Sequence, residues 1–415
     1  MVLENSNGTA KKGDVILKLT WVHDHFFIKD LKENIVYSEI EFSNELWEKY
    51  LVSFDEITIL SRQRTLNENE NTINMNTSSR DNVSFKKLPN LNSLKNILTK
   101  RNLARKLIRQ ELKNSNGLIA RLPSTLGILA IKEAKKLNML YGVELVGCPS
   151  DALKGLKTIQ GSIYAPLLTH QTKMAVENAS HVLYVTHDFL QNRYPTQGKS
   201  IGCSDVKLEK ALLIDINTPK NFVKNLESEI VIGIIGYLSN YKGIDTAFAS
   251  IKKLNNKYPN IKLKILGGGD VKFWLDYSLE MGLKQNQVSI ESFADKRLVM
   301  KWLHNLDIYI QPSRTEGMPR ALIEAMSVGC PCIASNVGGI PELVQEKFLH
   351  HPEDFNQLSI LIESLINDKE LYYLTSMYNI DVSKRYDFKR LEKNRVNFWS
   401  DYKNKINIKD SEVIL

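Results

Sequence analysis

Residues 230–269 decide the fold of this chain and read IVIGIIGYLSNYKGIDTAFASIKKLNNKYPNIKLKILGGG. The apolar run at the start predicts a buried strand, the amphipathic middle predicts a helix, and IKLKILGGG predicts a second strand. Two strands joined by a helix are typical of a parallel sheet, because a parallel connection needs a long crossover. The stretch therefore predicts a strand–helix–strand unit.

The same alternation of strand and helix signals runs through most of the chain. It starts with a strand expected at 14–22, the first half ends with a strand signal at 209–216, and a second half opens near Pro219. Such alternation predicts parallel sheets with helices on both faces, whose ligands bind beyond the carboxyl ends of the strands. We predict an α/β fold of two doubly wound, Rossmann-like domains, 13–217 and 218–384, that face each other across a cleft.

The composition is that of a soluble globular protein with an anionic partner. A length of 415 residues suits about two or three domains, and 43% hydrophobic and 25% charged residues are ordinary values. The net charge of +8 points to nucleic acid, anionic lipid or a phosphate-bearing substrate. A polar start, and apolar runs far shorter than the ~20 residues of a membrane span, predict a cytoplasmic protein. The four cysteines are expected to be reduced and mostly buried.

A basic segment lies at residues 85–113. Nine lysines and arginines stand there against one acidic residue, Glu111, and the apolar residues recur largely at helical spacing. Two interpretations are equally open. The segment is an ordinary surface helix with a solvated basic side, or it touches anionic lipid or a lipid-phosphate acceptor at the inner face of the cell membrane. Nucleic acid is not expected as a partner, because no RNA- or DNA-binding motif accompanies the cluster.

The most specific pattern is the stretch TEGMPRALIEAMSVGCPCIASNVGGIPELV. Glu316 is expected in a loop at the carboxyl edge of the sheet, with free N–H groups at Gly317 and Met318 and with Pro319 as the first helical residue. Those donors, with the helix dipole, favour a phosphate or another anion. Glu324 lies a turn and a half inside the helix, and two carboxylates suit the vicinal hydroxyls of a sugar or a ribose. Acids that merely offset the helix dipole would explain Glu324 alone, but not the whole stretch.

Two further loops follow strand signals. In GYLSNYKG, Gly236 is expected to let backbone approach a ligand and Lys242 to meet a diphosphate as a point charge. This loop lacks the spacing of a dinucleotide fingerprint and of a Walker loop. In NVGGIPELV, residues 336–339 form a loop before Pro341, which is equally well a backbone donor site or a plain tight turn.

Together these motifs resemble one family, the retaining glycosyltransferases of family 4, which have the GT-B fold. The specific part is the E-x7-E spacing of Glu316 and Glu324, and IGYLSNYKGID, LKILGGGD and SNVGGIPELV stand in the expected order around it. The resemblance is strong over residues 230–344. It is weaker in ELVGCPSDAL and HVLYVTHDFLQNRYPTQG, which look like capsular and exopolysaccharide glycosyltransferases.

The resemblance implies a role for each matching residue. Glu316 would bind hydroxyls of the donor sugar, Glu324 would hold the ribose diol, and Lys242 would stabilise the departing diphosphate. The N–H groups of Gly317 and Met318 would meet donor oxygens. No metal and no other cofactor are expected, because the lysine and the helix N-termini replace the metal.

The resemblance also implies an activity and its distribution over the chain. The protein would be a retaining hexosyl- or glycosyltransferase that moves a sugar from a UDP- or GDP-sugar to a lipid-linked or oligosaccharide acceptor in surface polysaccharide biosynthesis. Domain 218–384 would bind the donor, domain 13–217 would bind the acceptor, and a last helix at 385–408 would pack back on the acceptor domain. Two alternatives stay open: a GT-B-like sugar-nucleotide epimerase, and a non-catalytic partner subunit of another glycosyltransferase.

Two departures from the family pattern concern charged groups. Many members place Arg directly after the glycine of the phosphate loop, where Tyr237 stands on the donor side here. One cationic partner of the diphosphate is then either missing or supplied by another residue, for which Arg314 and Arg320 are the candidates. Many members also carry a histidine in the N-terminal half, which the loop VGCPSDA lacks. The candidates for the acceptor side are His25, Asp24 and Asp151.

Overall fold

The computed structural model describes residues 16–39, 42–68, 70–73, 75–91, 93–151, 159–206, 208, 220, 228–292 and 296–414. The chain forms two compact units. Unit 1 comprises Met1–Ala120, Leu129–Tyr141 and Trp399–Leu415, and unit 2 comprises Arg121–Ile128 and Gly142–Phe398. The strand predicted at 209–216 and the boundary near Pro219 lie outside the described residues, so the predicted division into domains stays a prediction.

Fifteen strands alternate with helices along the described ranges. The strands are β1 Lys18–Lys29, β2 Val36–Ser38, β3 Glu56–Thr65, β4 Asn76–Thr77, β5 Val83–Leu88, β6 Gly117–Leu122, β7 Tyr141–Leu145, β8 His181–Tyr184, β9 Lys199–Gly202, β10 Ile230–Ile235, β11 Ile261–Leu266, β12 Val288–Glu291, β13 Ile308–Gln311, β14 Cys332–Ser335 and β15 Leu349–His350. The helices are α1 Glu48–Leu51, α2 Leu94–Leu112, α3 Thr125–Lys136, α4 Ile159–Glu177, α5 Phe189–Arg193, α6 Ile244–Leu254, α7 Val271–Glu280, α8 Lys296–His304, α9 Arg320–Ser327, α10 Phe355–Asn367, α11 Lys369–Ser383 and α12 Phe388–Ile414.

In unit 1, β1 pairs in parallel with β3 and β6 and antiparallel with β2, and β5 pairs in parallel with β3. The first strand is longer than the predicted 14–22, because β1 continues to Lys29 past a register shift between Val22 and Phe26. Burial of Phe27 and Ile28 accounts for this continuation. The His-Asp-His run therefore lies within the strand rather than after it.

The basic segment at 85–113 is only partly helical. Its first residues belong to β5, and α2 begins after Ser93, whose hydroxyl accepts a hydrogen bond from the N–H of Asn96 at 3.2 Å. The second half of α2 is packed through buried residues such as Ile108. The first half is largely exposed and includes Leu98 and Leu103, which are 83% and 53% exposed.

The part of α12 that starts at Trp399 belongs to unit 1. Trp399 is buried, and the Tyr402 hydroxyl accepts from the N–H of Leu118 at 3.2 Å. The same hydroxyl lies 3.0 Å from the carbonyl oxygens of Leu118 and Leu140. These bonds satisfy backbone groups at the start of β6 and directly before β7.

In unit 2, a six-stranded parallel sheet has the order β12-β11-β10-β13-β14-β15, and β7, β8 and β9 form a further parallel set. Strands β10, β13 and β14 are almost wholly buried, as expected for strands covered by helices on both faces. The predicted α/β class is confirmed. The loops that follow β10, β13 and β14 meet at one edge of the sheet, since carboxyl ends of neighbouring parallel strands coincide.

All four cysteines are free and buried, as predicted. Burial raises the pKa of the Cys330 thiol to about 11. Among the helices in the described ranges, none combines the length and the apolar character that a membrane span requires.

Candidate functional site

The Glu316 carboxylate is the centre of a hydrogen-bonded cluster in the loop after β13. Its Oε1 atom accepts from Lys242 Nζ at 2.7 Å, from Gln311 Nε2 at 2.9 Å and from Ser313 Oγ at 2.8 Å. The side chains of Glu316 and Lys242 are only 11% and 14% exposed. No described residue donates to the second oxygen, Oε2. One oxygen therefore fixes the carboxylate, and the other remains able to accept from a ligand.

A buried tyrosine fixes one of the side chains that donate to Glu316. The Tyr309 hydroxyl donates to Gln311 Oε1 at 2.6 Å, which orients the Gln311 amide toward Glu316. Burial raises the pKa of Tyr309 well above its ordinary value, and the nearby carboxylates of Glu316 and Glu324 raise it further. The hydroxyl thus stays protonated and able to donate. Glu316, in the loop before α9, and Glu324, inside α9, therefore both raise the pKa of the Tyr309 hydroxyl.

Lys242 reaches Glu316 across a glycine. The loop after β10 contains a short 3-10 turn, Asn240–Lys242, and α6 follows it after Gly243. Gly243 has φ +68°, and a Cβ there would lie 1.9 Å from the carbonyl oxygen of Pro312. A Cβ on Gly236 would lie 2.8 Å from Lys242 Cε, so the space over Gly236 is occupied by the lysine stem. Glycine at this position admits Lys242, whereas the sequence suggested a space for ligand.

The two candidates for the missing cation behave differently. Arg314 donates to both oxygens of Asp245 at 3.1 and 2.6 Å, to Glu353 Oε1 at 2.5 Å and to the carbonyl oxygen of Asn240. These carboxylates raise the pKa of Arg314 despite the opposing effect of burial. Arg314 therefore ties the Lys242 loop to the Glu316 loop. Arg320 is the exposed first residue of α9.

Tyr237, which stands where a second cation was expected, is 56% exposed. Its hydroxyl pairs with no residue in the described ranges. A donor-side role for Tyr237 and for Arg314 stays a prediction.

The third predicted loop packs directly on the Glu316 loop. The N–H of Gly339 donates to the carbonyl oxygen of Gly317 at 2.8 Å. Gly338 has φ +58°, and a Cβ there would lie 1.9 Å from the carbonyl oxygen of Glu316. A Cβ on Gly317 would lie 2.6 Å from the carbonyl oxygen of Val146. Three glycines thus allow close backbone contacts that side chains would prevent.

Pro319 is the N-cap of α9 and not its first helical residue, because its ψ of 110° is extended. The helix begins at Arg320 and keeps Glu324 a turn and a half inside. The backbone N–H groups of Gly317 and the buried Met318 donate to no described residue. They lie just before a helix N-terminus, where an anion is favoured.

The acceptor-side candidates are divided between the chain's two units. In unit 2, Asp151 Oδ2 accepts from Arg193 Nη1 at 2.8 Å, and both side chains line a cavity that Arg314 also lines. In unit 1, His25 Nε2 lies 2.8 Å from Ser38 Oγ, and its ring packs against Phe27 and Phe42. The backbone carbonyl of Asp24 accepts from Arg62 Nε.

Several residues that support the site were not predicted. Gln311 is the last residue of β13, and Ser313 lies two residues after it. Polar side chains at the carboxyl end of a strand are a signal that could have identified both. Glu342, in IPELV, accepts from three successive N–H groups, of His187 at 2.7 Å, Asp188 at 3.1 Å and Phe189 at 2.7 Å. No local pattern indicates that contact, because it spans more than 150 residues.

Metal ligation is not indicated by the residues whose positions are described. Among them, no group of three or more His, Cys, Asp or Glu side chains could hold a metal ion. The expected metal independence stays a prediction.

Comparison with known proteins concerns the family of the chain as a whole. The model of the family "Glycosyl transferases group 1" matches residues 216–378. Protein CapJ of Staphylococcus aureus is 34% identical over 395 residues, which are 94% of this chain and 97% of CapJ. The capsular polysaccharide biosynthesis glycosyltransferase CapM of the same species is 27% identical over 230 residues, 52% of this chain and 60% of CapM.

Solved structures show the same fold. Sucrose-phosphate synthase from Thermosynechococcus elongatus has a TM-score of 0.65 at 14% identity, covering 93% of this chain and 99% of that one. Anabaena Alr3699/HepE in complex with UDP-glucose has a TM-score of 0.61 at 15% identity, covering 93% and 100%. The predicted GT-B fold class is confirmed. Since the identity to CapJ extends over almost all of both chains, this chain belongs to the glycosyl transferases group 1 family and is a glycosyltransferase of the GT-B fold.

Proposed function

We propose that the chain transfers a sugar, with retention at the anomeric carbon, from a nucleotide diphosphate sugar to a lipid-linked or oligosaccharide acceptor in surface polysaccharide biosynthesis. The observation that carries the proposal is the Lys242–Glu316 pair, at 2.7 Å, beside the unused N–H groups of Gly317 and Met318. The name of the relative CapM supports a role in capsule assembly, and the UDP-glucose in the HepE complex supports a nucleotide sugar as donor.

In this proposal, different residues bind the sugar, the diphosphate and the ribose of the donor. Glu316 Oε2 accepts from hydroxyls of the donor sugar, while Oε1 stays fixed by Gln311 and Ser313. Lys242 and the N–H groups before α9 offset the negative charge that grows on the departing diphosphate. Glu324 holds the ribose diol. Because Glu316 and Lys242 are already positioned by hydrogen bonds, these two side chains need little reorganisation at the moment of transfer.

The donor chemistry proposed here needs neither a metal nor another cofactor. Lys242 and the backbone donors supply the positive charge that a divalent ion provides in other phosphate sites. UDP- and GDP-sugars are the proposed donor classes.

The exposed half of α2 supports a peripheral location at the inner face of the cell membrane. Leu98 and Leu103 are exposed there, and they lie among Lys95, Lys100 and Arg101, a combination that suits the interface of an anionic bilayer. Sedimentation with phosphatidylglycerol-containing vesicles tests this. Replacing Lys100 and Arg101 with Gln should reduce vesicle binding several-fold, and unchanged binding would contradict the location.

Donor binding and turnover test the activity. A thermal-shift screen against UDP-, GDP- and ADP-sugars should show stabilisation by one nucleotide class, since a bound ligand raises the melting temperature. Glu316→Ala should abolish transfer in a chain that still folds, with a melting temperature lowered because Lys242, Gln311 and Ser313 lose their shared acceptor. Near-normal turnover in Glu316→Ala would refute the assignment. Conversion of the donor without acceptor would indicate an epimerase, and nucleotide binding without any turnover would indicate a non-catalytic subunit.

A further inference from the structure

A cavity of about 490 Å³ lies in unit 2 beside the Glu316 loop. Its volume falls within the roughly 300–1,000 Å³ that is usual for small-molecule sites. Thr315 and Gly338 connect it to the candidate donor site, because Thr315 precedes Glu316 and Gly338 abuts the Glu316 carbonyl. The described residues that line it are Asp151, Phe189, Arg193, Arg314, Thr315, Asn336, Val337, Gly338, Pro352 and Glu353.

Among the described residues that line this cavity, the charged side chains form pairs of opposite sign. Arg193 donates to Asp151 at 2.8 Å, and Arg314 is paired with Glu353 inside the cavity and with Asp245 behind it. Each guanidinium thus already faces a carboxylate. An anionic ligand would have to enter next to these carboxylates, whose repulsion opposes its binding, whereas a neutral ligand meets no such cost.

Several polar groups in the cavity have hydrogen-bonding capacity to spare. The side-chain amide of Asn336, the hydroxyl of Thr315, and Nε and Nη2 of Arg193 form no hydrogen bond with any residue that the structure describes. An amide and a hydroxyl both donate and accept, and a guanidinium donates in a planar fork. Vicinal hydroxyls of a sugar ring can satisfy all three. The rings of Phe189 and Pro352 add apolar surface for the C–H face of such a ring.

The Glu342 carboxylate holds two parts of the cavity lining together. Glu342 lies four residues after Gly338, and it accepts the three N–H groups at the start of α5, the helix that carries Phe189 and Arg193. The lining from α5 is therefore fixed against the lining from residues 336–338. A preformed cavity binds its ligand at lower entropic cost than one that must be assembled.

We propose that this cavity is the subsite for an uncharged saccharide residue of the acceptor, whose hydroxyls bond to Arg193 and Asn336. The proposal rests on the proposed function and names the acceptor's chemical class at this position: a sugar ring that carries neither phosphate nor carboxylate. The lipid-linked or further saccharide part of the acceptor lies outside the subsite.

Binding of simple glycosides to the full chain tests the proposal. The probes are p-nitrophenyl glycosides of glucose, galactose, mannose and N-acetylglucosamine, with p-nitrophenyl glucuronide as the charged counterpart. Saturation-transfer difference NMR, with UDP present, measures each dissociation constant. At least one neutral glycoside should bind, and the glucuronide should bind at least about tenfold more weakly. Arg193→Ala and Asn336→Ala should each weaken the neutral glycoside by about tenfold.

Two further variants keep the outcome specific. Arg390→Ala removes an exposed arginine outside the cavity and should leave all affinities within twofold of the wild type. Asp151→Asn leaves the Arg193 charge without its partner, and it should reverse the preference in favour of the glucuronide. Melting temperatures, and nucleotide-sugar binding within twofold of the wild type, show that each variant is folded.

Three results would overturn the assignment. They are a wild-type preference for the glucuronide, neutral-glycoside binding that Arg193→Ala and Asn336→Ala leave unchanged, and the lack of any glycoside binding by a chain that binds nucleotide sugar. The last two leave the proposed function standing. Failure of the wild-type chain to bind any nucleotide sugar overturns the proposed function as well, so the two failures are distinguishable.

Discussion

Lys242→Met is the substitution for which the structure predicts the largest separation between activity and stability. The change removes the charge that is proposed to face the diphosphate and leaves a side chain of similar length over Gly236. Removal of one preorganised donor of this kind costs about 10²–10³ in kcat, or about 2.7–4 kcal/mol. We expect a kcat loss of that size, with a smaller change in KM for the donor.

The effect of Lys242→Met on stability should be modest. Glu316 loses its charged partner but keeps the hydrogen bonds from Gln311 and Ser313. The free energy of unfolding should therefore fall by about 1–3 kcal/mol, below the cost of a buried charge with no remaining donor. The melting temperature should fall by only a few degrees.

The assay compares initial rates of nucleotide diphosphate release with acceptor at saturation, together with thermal unfolding followed by circular dichroism. Lys389→Met, an exposed lysine in α12, is the matched control and should change neither quantity. A kcat for Lys242→Met within threefold of the wild type would refute the electrostatic role of Lys242. A loss of stability without a loss of kcat would reduce Lys242 to a structural partner of Glu316.

Three other predictions test the surrounding structure. Gly338→Ala should cost at least about 1–2 kcal/mol of stability from its positive φ alone, and should lower kcat at least tenfold by displacing the Glu316 carbonyl; the control Gly268→Ala, where an added Cβ meets nothing within 4 Å, should behave as the wild type in unfolding and rate measurements. All four cysteines are buried, and burial raises the pKa of the Cys330 thiol to about 11. The native chain at pH 8 should therefore react with no equivalent of Ellman's reagent within minutes, and the unfolded chain should react with four. Rapid labelling of the native chain would contradict the packing. Treatment with EDTA should leave the transfer rate unchanged, and a loss that Mg²⁺ restores would overturn the metal-independent proposal.

The sequence by itself determined the α/β class and the location of the donor motifs. Residues 230–269 carry strand and helix periods that depend only on neighbouring side chains, and β10, α6 and β11 lie where those periods predict them. Glu316 and Glu324 lie respectively before and inside α9, because the boundaries of this helix are also local. The predictions that were wrong concern the ends of elements: β1 extends to Lys29, and Pro319 is the N-cap of α9 instead of its first residue.

Only the tertiary structure decided which groups meet. Glu316 Oε1 is held by Lys242, 74 residues away, and α5 is held by Glu342, which lies 153 residues or more from the N–H groups that it accepts. The structure also shows that Arg314 pairs with Asp245 and Glu353, two partners that the sequence did not indicate. Such contacts depend on strand order and on backbone approach at glycines. A pattern of neighbouring residues contains no information about either, so the partners of each charge become known only when the chain is folded.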